Sequence, residues 1–236
     1  MRVLVWFRRD LRIHDNTALY RASHDSDDGL VALYVITPGQ WKEHDEAPAK
    51  VKFWLENLRQ LACDLADLRI PLRIATCDTF AQLPQIVASE AMECDCQAVY
   101  FNREYEVNER KRDDQTESCC QQTGIETSGF DDRIIVPPRE IETGDGRFYS
   151  VFTPYRRVWQ KKAMDFVDIH CPPERQPELN IASSDVPGTI AEFDLSSCRD
   201  DLWPAGESEA QRRLEKFAGR IRQYHETRDI PAINGT

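Results

Sequence analysis

The stretch VLVWFRRDLRIHDN, from Val3 to Asn16, decides the fold of this chain. Its first five residues are all apolar, which is typical of a strand covered on both faces in a parallel sheet. The charged turn that follows therefore leaves the sheet at its carboxyl end, where ligands of open α/β folds bind. Asp15 or Asn16 is placed to cap a helix that starts at Thr17.

The charged turn has two interpretations. Its side chains either form salt bridges that tie the loop to its neighbours, which is the role we favour, or they face a ligand. The residues concerned are Arg8, Arg9, Asp10 and Arg12.

Strand and helix patterns alternate along most of the chain. Apolar runs predict strands over 30–36, 71–76 and 98–102, and the segments 125–128 and 134–136 extend the sheet. Helical periodicity and caps predict helices over 17–21, 48–68, 80–92 and 156–167, the last capped by Thr153, and 40–45 is predicted as a loop. Because parallel neighbours need crossover helices, this order predicts an α/β fold with a doubly wound, mainly parallel five-stranded sheet of Rossmann-like type.

Composition divides the chain into three segments. Residues 1–168 form the α/β domain, and 169–205, rich in Pro, Ser, Asp and Glu, are predicted to be an interdomain linker. Residues 206–236 begin a helical domain, with a helix over 207–224. Its apolar stripe, together with Trp203, has no domain of its own to pack against, so we expect self-association. The stripe consists of Ala210, Leu214, Phe217 and Ile221.

Composition also argues against several classes of protein. The eight cysteines follow no metal-ligand spacing, and no apolar stretch is long enough to cross a bilayer, so we expect a cytoplasmic protein with neither metal nor membrane contact. A net charge of −11 disfavours nonspecific nucleic-acid binding, although Arg8, Arg9 and Arg12, or 110–112, form a possible local patch. Glycine-rich phosphate loops and the hydrolase elbow are absent from the sequence.

Several motifs resemble those of the DNA photolyase and cryptochrome family, and together they span essentially the whole chain. They are 5–16, Thr37-Pro38 with Trp41 and His44, 105–110, 129–132, 151–155, Trp203-Pro204, 228–232 and 235–236. The resemblance implies an amino-terminal α/β domain that carries a light-harvesting antenna chromophore. It also implies a helical domain that holds FAD and binds DNA, of which this chain contains only the start.

The resemblance implies an activity for the intact protein. Photolyases repair UV-induced cyclobutane pyrimidine dimers by light-driven electron transfer from reduced FAD, with the dimer flipped out of the duplex. We expect this chain alone to be inactive, with no catalytic residue of its own, and to meet UV-damaged DNA through the missing helical domain. Two alternatives remain open: a cryptochrome-type photoreceptor and a stand-alone α/β binding module.

Three residues match the positions that bind 5,10-methenyltetrahydrofolate in folate-type photolyases: His44, Asn108 and Glu109. A pterin edge offers an amino group and a ring N–H side by side, and a carboxylate accepts both. The alternative is structural, since Asn108 and Glu109 also suit the first turn of a helix and His44 suits a solvated loop. A deazaflavin antenna stays open, and part of the pocket comes from the helical side, so we expect weak or no folate binding by this chain.

Two further residues match positions that touch the phosphate or ribose of FAD, namely Tyr224 and Thr236. Two contacts are too few to hold a dinucleotide that the family buries in a helical domain. We therefore expect this chain to retain no FAD.

Overall fold

Five parallel strands form one sheet in the computed structural model, which describes residues 1–196, 198, 203–230 and 232. The strands are β1 (Val3–Phe7), β2 (Leu30–Ile36), β3 (Leu72–Thr76), β4 (Ala98–Asn102) and β5 (Glu126–Phe130), in the order β3-β2-β1-β4-β5. All four pairings are parallel. The predicted five-stranded, doubly wound α/β fold is therefore confirmed.

Helices cover both faces of the sheet. They are α1 (Thr17–Asp25), α2 (Pro38–Glu43), α3 (Pro48–Asp67), α4 (Leu83–Glu93), α5 (Val107–Gln122), α6 (Phe152–Lys162), α7 (Glu207–Ala218) and α8 (Tyr224–Thr227). Short 3₁₀ turns lie at Pro138–Glu140, Ala163–Asp165 and Ile221–Gln223. None of the helices in the described ranges is long and apolar enough to span a membrane.

The central strand β1 belongs to two cores at once because its side chains alternate between the faces of the sheet. Val3, Val5 and Phe7 pack into the cluster that includes α1 and α3, and Leu4 and Trp6 into the one that includes α4. None of the five is more than 1% exposed. The uninterrupted apolar run is therefore explained by burial on both sides.

Several element boundaries differ from the sequence prediction. Residues 134–136 form no strand, since Pro137 and Pro138 follow at once and neither can donate a ladder hydrogen bond. Residues 40–43 belong to helix α2 rather than to a loop, and α1 extends to Asp25. Helix α4 starts at Leu83 because Pro84 suits only its first turn.

The last two predicted helices also change. Helix α6 runs from Phe152 to Lys162, with Val151 rather than Thr153 as its N-cap. The single helix expected over 207–224 is interrupted at Gly219, which forms the C-cap of α7. Glycine is favoured at helix ends because it loses more conformational freedom than other residues inside a helix.

The segment 169–196 lies along the α/β domain. The backbone N–H of Gln176 donates to Leu68 O (2.9 Å) and that of Ser184 to Leu72 O (2.7 Å). The hydroxyl of Ser184 accepts from the N–H of Ile74 (3.0 Å). The bonds to Leu72 and Ile74 satisfy backbone groups of β3, an edge strand that would otherwise expose them, and the bond to Leu68 lies at the end of α3.

The start of α7 is fastened to the turn after β1. Glu207 lies 2.8 Å from His14 Nδ1 and accepts the N–H of Ile13 (2.9 Å). The N–H of Gly206 donates to Asn57 Oδ1 on α3 (3.0 Å). Beyond this anchor the apolar side chains of Leu214 and Ile221 are more than half exposed.

A buried hydrogen-bond network joins the carboxyl ends of β1 and β4. The Asn102 amide donates to Asp10 Oδ2 (2.7 Å) and Asn16 Oδ1 (2.9 Å), and it accepts the N–H of Ala18 (2.9 Å). Asn16 Oδ1 also accepts the N–H of Leu19 (3.1 Å), so the predicted cap of α1 is confirmed. One amide thus holds the turn after β1, the start of α1 and the end of β4 together.

We expect Asn102→Ala to lower the free energy of unfolding by about 2–4 kcal/mol, because it leaves buried polar groups of Asp10 and Ala18 without a partner. Urea denaturation followed by circular dichroism measures the change. Asn108→Ala is the matched control, since that exposed side chain makes no hydrogen bond to the described residues, and it should stay within about 0.5 kcal/mol. Equal stability of the two variants would contradict the role of Asn102.

Candidate functional site

A cavity opens at the carboxyl edge of the sheet, beside β1 where the strand order reverses. It has a volume of about 130 Å³ and is open to solvent. Its walls come from the turns that follow β1, β2 and β4 and from helices α2, α3 and α5. This is the position at which doubly wound folds bind ligands.

One wall of the cavity is aromatic. Trp41 of α2 and Trp54 of α3 lie with ring centroids 5.2 Å apart, and Lys50 Nζ lies 4.9 Å above the Trp54 ring. Tyr34 and Trp6 line the same space. Such a wall suits a flat aromatic ligand, which stacks against rings.

Carboxylates cluster around Arg9, which also lines the cavity. Arg9 contacts Glu106 (3.0 Å), Glu109 (3.3 Å) and Glu104 (3.6 Å). Arg133 lies 3.6 Å from Glu104 and 3.7 Å from Glu106. The side chain of Glu109 is only 12% exposed, and its contact with Arg9 restrains it at the cavity.

Beneath this cluster lies a buried layer of charges. The Arg8 guanidinium sits 4.2 Å from the Trp6 ring and 3.6 Å from Asp113, and burial lowers its pKa. Arg112 contacts Asp113 (2.6 Å) and Glu104 (2.9 Å). Burial opposes the charge of Arg112, but these two carboxylates outweigh it and raise its pKa.

Some atoms of this layer lack hydrogen-bond partners. Glu104 Oε1 is buried and accepts no hydrogen bond from the described residues, although Glu104 lines the cavity. Arg8 Nε and Nη1 are likewise buried without hydrogen-bond acceptors. Buried polar atoms are nearly always satisfied, so these atoms favour a polar ligand at this place.

The structure brings two of the predicted antenna residues together. His44, the C-cap of α2, and Glu109, in the first turn of α5, line the same cavity. Asn108 precedes Glu109 but is exposed and is not among the lining residues.

The two residues predicted to contact FAD are elsewhere in the chain. Tyr224 begins α8 and packs edge-to-face on Phe217, with a centroid separation of 5.6 Å. Thr236 lies outside the described residues.

Comparison with known proteins places the chain in a family. The model of the family described as DNA photolyase matches residues 3–178. The chain belongs to the DNA photolyase family. It is 34% identical to a deoxyribodipyrimidine photo-lyase of Vibrio cholerae and to one of Escherichia coli. Each alignment covers 99% of this chain and 50% or 49% of the relative.

Solved structures show the same fold. A class III photolyase of Agrobacterium tumefaciens superposes with a TM-score of 0.77 at 24% identity, covering 99% of this chain and 48% of that one. A Synechocystis cryptochrome gives 0.76 at 24% identity, covering 96% and 48%. The chain thus spans about half the length of the photolyases and cryptochrome that it matches.

Photolyases use FAD and an antenna chromophore. The cavity offers a flat chromophore aromatic side chains and two hydrogen-bond acceptors, the Glu109 carboxylate and Glu104 Oε1. Among the described residues, no group of three or more His, Cys, Asp or Glu could hold a metal ion. The carboxylate oxygens at the cavity can accept hydrogen bonds from a ligand.

Sequence analysis missed part of this photolyase cavity. Trp54 falls within the helix predicted over 48–68, and helical periodicity alone does not distinguish it from a core residue; its ring lies beside Trp41 and borders the cavity. In the charged turn, Arg8 and Arg12 form the expected salt bridges, to Asp113 (3.6 Å) and Asp132 (2.7 Å). Asp10 instead accepts a hydrogen bond from the Asn102 amide. Arg8 and Arg9 fit both interpretations, because each pairs with carboxylates and also lines the cavity.

The phenol of Tyr34 lines the cavity, and the pH dependence of stability tests whether it is shielded from solvent. Burial, followed by the charges of Glu104 and Asp10, raises the pKa of Tyr34 above its ordinary value of 10.0. Above that pH the unfolded chain has lost the phenol proton while the folded chain keeps it, so stability falls by about 1.4 kcal/mol per pH unit.

We expect Tyr34→Phe to remove this contribution. The difference in unfolding free energy between the variant and the wild type should be constant from pH 7 to about pH 9 and shift in favour of the variant above about pH 10. Urea denaturation across this range measures it. A difference that stays constant through pH 11 would show that Tyr34 is not shielded from solvent.

Proposed function

We propose that this chain is the light-harvesting half of a deoxyribodipyrimidine photo-lyase and that its cavity binds 5,10-methenyltetrahydrofolate as the antenna chromophore. The observation that carries the proposal is the cavity itself, in which Glu109 and His44 share one space with Trp41 and Trp54. Family membership supports the photochemical role, and the side chains support the choice of folate.

The chemistry of Glu109 suits a pterin. Its carboxylate accepts hydrogen bonds from an amino group and a neighbouring ring N–H, a bidentate arrangement that two oxygens of one carboxylate can satisfy. Arg9 lies 3.3 Å from this carboxylate and orients it. Trp41 and Trp54 would then stack against the pterin ring.

His44 and Asn108 have supporting roles in this proposal. His44 lines the cavity at the end of α2 and would hydrogen-bond the ligand there. The exposed Asn108 is adjacent in sequence to Glu109 and would contact the part of the folate that extends beyond the cavity.

Repair belongs to the longer protein in this proposal. There, reduced FAD would supply the electron that splits a cyclobutane pyrimidine dimer in UV-damaged DNA, and the antenna would pass it light energy. Tyr224 and Thr236 are proposed to contribute contacts to the phosphate or ribose of FAD, whose remaining ligands would lie in the other half. This chain alone is proposed to retain no FAD.

A cryptochrome-type photoreceptor is the second candidate, because a cryptochrome shares the fold. The 34% identity to two deoxyribodipyrimidine photo-lyases favours repair. A light-dependent repair assay of the full-length protein on DNA that contains a cyclobutane dimer separates the two. Repair supports the photolyase role, and absence of repair from a flavin-loaded protein contradicts it.

We expect Glu109→Gln to weaken folate binding about tenfold or more, because a hydrogen bond to a charged group contributes about 1.5–3 kcal/mol. Titration of 5,10-methenyltetrahydrofolate into the chain, followed by quenching of tryptophan fluorescence, measures the dissociation constant. The affinity of the chain alone is low if part of the pocket comes from the other half, so the titration extends to millimolar folate.

Glu117→Gln is the matched control. It makes the same substitution in the same helix, at a residue that is not among those lining the cavity. Its affinity should stay within about twofold of the wild type. Equal affinities for the Glu109 and Glu117 variants would exclude Glu109 from the folate site.

We also propose that the chain self-associates through the exposed apolar residues near its carboxyl end. Trp203 and Leu214 are each 67% exposed. We expect the weight-average mass in sedimentation equilibrium to rise with protein concentration, and Leu214→Glu to reduce the rise, since a charge would have to be desolvated at the contact. A concentration-independent monomer would contradict the proposal.

A further inference from the structure

We propose that the solvent-facing side of helix α6 binds the phosphate backbone of DNA. This inference rests on the proposed function, which makes UV-damaged DNA the partner of the longer protein. It adds a DNA-contacting surface on this α/β half, separate from the antenna cavity, to the contacts expected of the other half.

The charge of α6 sets it apart from the rest of the chain. The chain as a whole carries −11, yet Phe152–Lys162 contains four cations and no carboxylate. Each of the other α-helices in the described ranges contains at least one Asp or Glu. Helix α6 is therefore a positive surface on an acidic protein, which is the charge distribution that phosphate binding requires.

Packing directs these cations to solvent. Val158 and Trp159 are partly buried against Val136 and Ile141, which fixes the inward face of α6. Helical spacing then places three cations on the outward face, and all three are exposed. They are Arg156, Arg157 and Lys161.

These three cations have no partner among the described residues. None of them makes a side-chain hydrogen bond or lies within ion-pair distance of a described carboxylate, whereas most arginines of the domain are paired. Lys162, the fourth cation, points the other way and lies 3.7 Å from Glu140. The outward cations are thus available to phosphates without first breaking a salt bridge.

An aromatic ring borders the same face. Phe152 is 70% exposed and lies one helical turn before Arg156. Exposed aromatic rings beside cations are the combination by which proteins bind nucleic-acid strands, the cations holding phosphates and the ring a base or sugar. Val158 and Trp159 of α6 are used for packing, and the large apolar side chains that the helix exposes are Phe152 and Tyr155.

The alternative basic patch considered from the sequence, 110–112, does not form one surface. Arg112 is buried between Glu104 and Asp113, whereas Arg110 and Lys111 are exposed. The exposed pair, together with the exposed Arg21, supplies a matched set of two arginines and one lysine at which no contact with DNA is proposed.

The test compares two triple variants with the wild type: R156Q/R157Q/K161Q on α6 and R21Q/R110Q/K111Q as the control. Both lower the net charge by the same three units. Fluorescence anisotropy of a short fluorescein-labelled DNA duplex measures affinity as a function of salt, starting at or below about 50 mM. Urea denaturation checks that both variants are folded.

We expect the α6 variant to bind about tenfold more weakly or worse at low salt. The slope of log K against log salt should become shallower by about 2.7 if all three cations contact phosphates. The control should keep most of the wild-type affinity and slope. The proposal is overturned if the control loses as much as the α6 variant, if neither changes, or if the wild type binds no duplex even at the lowest salt.

Two further measurements separate this inference from the antenna proposal and from a lipid partner. Folate titration of the α6 variant should match the wild type, and DNA binding of the Glu109→Gln variant should be unchanged, so each proposal fails by its own readout. Vesicles that contain phosphatidylserine should not bind the chain. Binding to these vesicles with no affinity for DNA would replace DNA by an anionic membrane as the partner of α6.

Discussion

The buried amide of Asn102 is the interaction on which the rest of the site depends. It stands at the carboxyl end of β4 and bonds to Asp10 and Asn16, on the turn that leaves β1. These two strands are neighbours at the point where the order of the sheet reverses. Because β1 and β4 part there to feed helices on opposite sides, the gap needs a polar link, and a buried amide supplies both donors and an acceptor.

The same link controls the electrostatics of the cavity. With the turn held in place, Arg8 is buried over Trp6 and Arg9 reaches the carboxylates of α5 and its preceding loop. The cavity therefore contains charges that are paired with one another but lack some hydrogen bonds: Glu104 Oε1 lies 3.6 Å from Arg9 and from Arg133, yet it accepts no hydrogen bond from the described residues. A site of this kind is already oriented before a ligand arrives, which lowers the ordering cost of binding.

Two later segments of the chain attach to different places on the surface of the α/β domain. The segment 169–196 satisfies the edge of β3, and Glu207 attaches α7 to the turn after β1. The turn therefore contacts the cavity on one side and the start of α7 on the other. In our proposals light energy enters at the first, and DNA is contacted by α6 and by the half that follows.

Local sequence determined much of this fold. The apolar run of β1, the Asn16 cap and the alternation of strands and helices are short-range patterns, because side-chain burial repeats every second residue in a strand and every three to four in a helix. These patterns were enough to predict the class of fold and the edge of the sheet at which the cavity lies. Glu109 and His44 were named through motifs, and the cavity that both line gives those motifs a common location.

Only the tertiary structure decided what lies next to what. The order β3-β2-β1-β4-β5 depends on contacts between distant segments, and so do the pairing of Trp41 with Trp54, the burial of Arg112 and the exposure of Arg156 and Arg157. A charged residue looks the same in sequence whether it faces a carboxylate or solvent. The free energy that separates those two states comes from neighbours brought together by folding, and no local pattern records them.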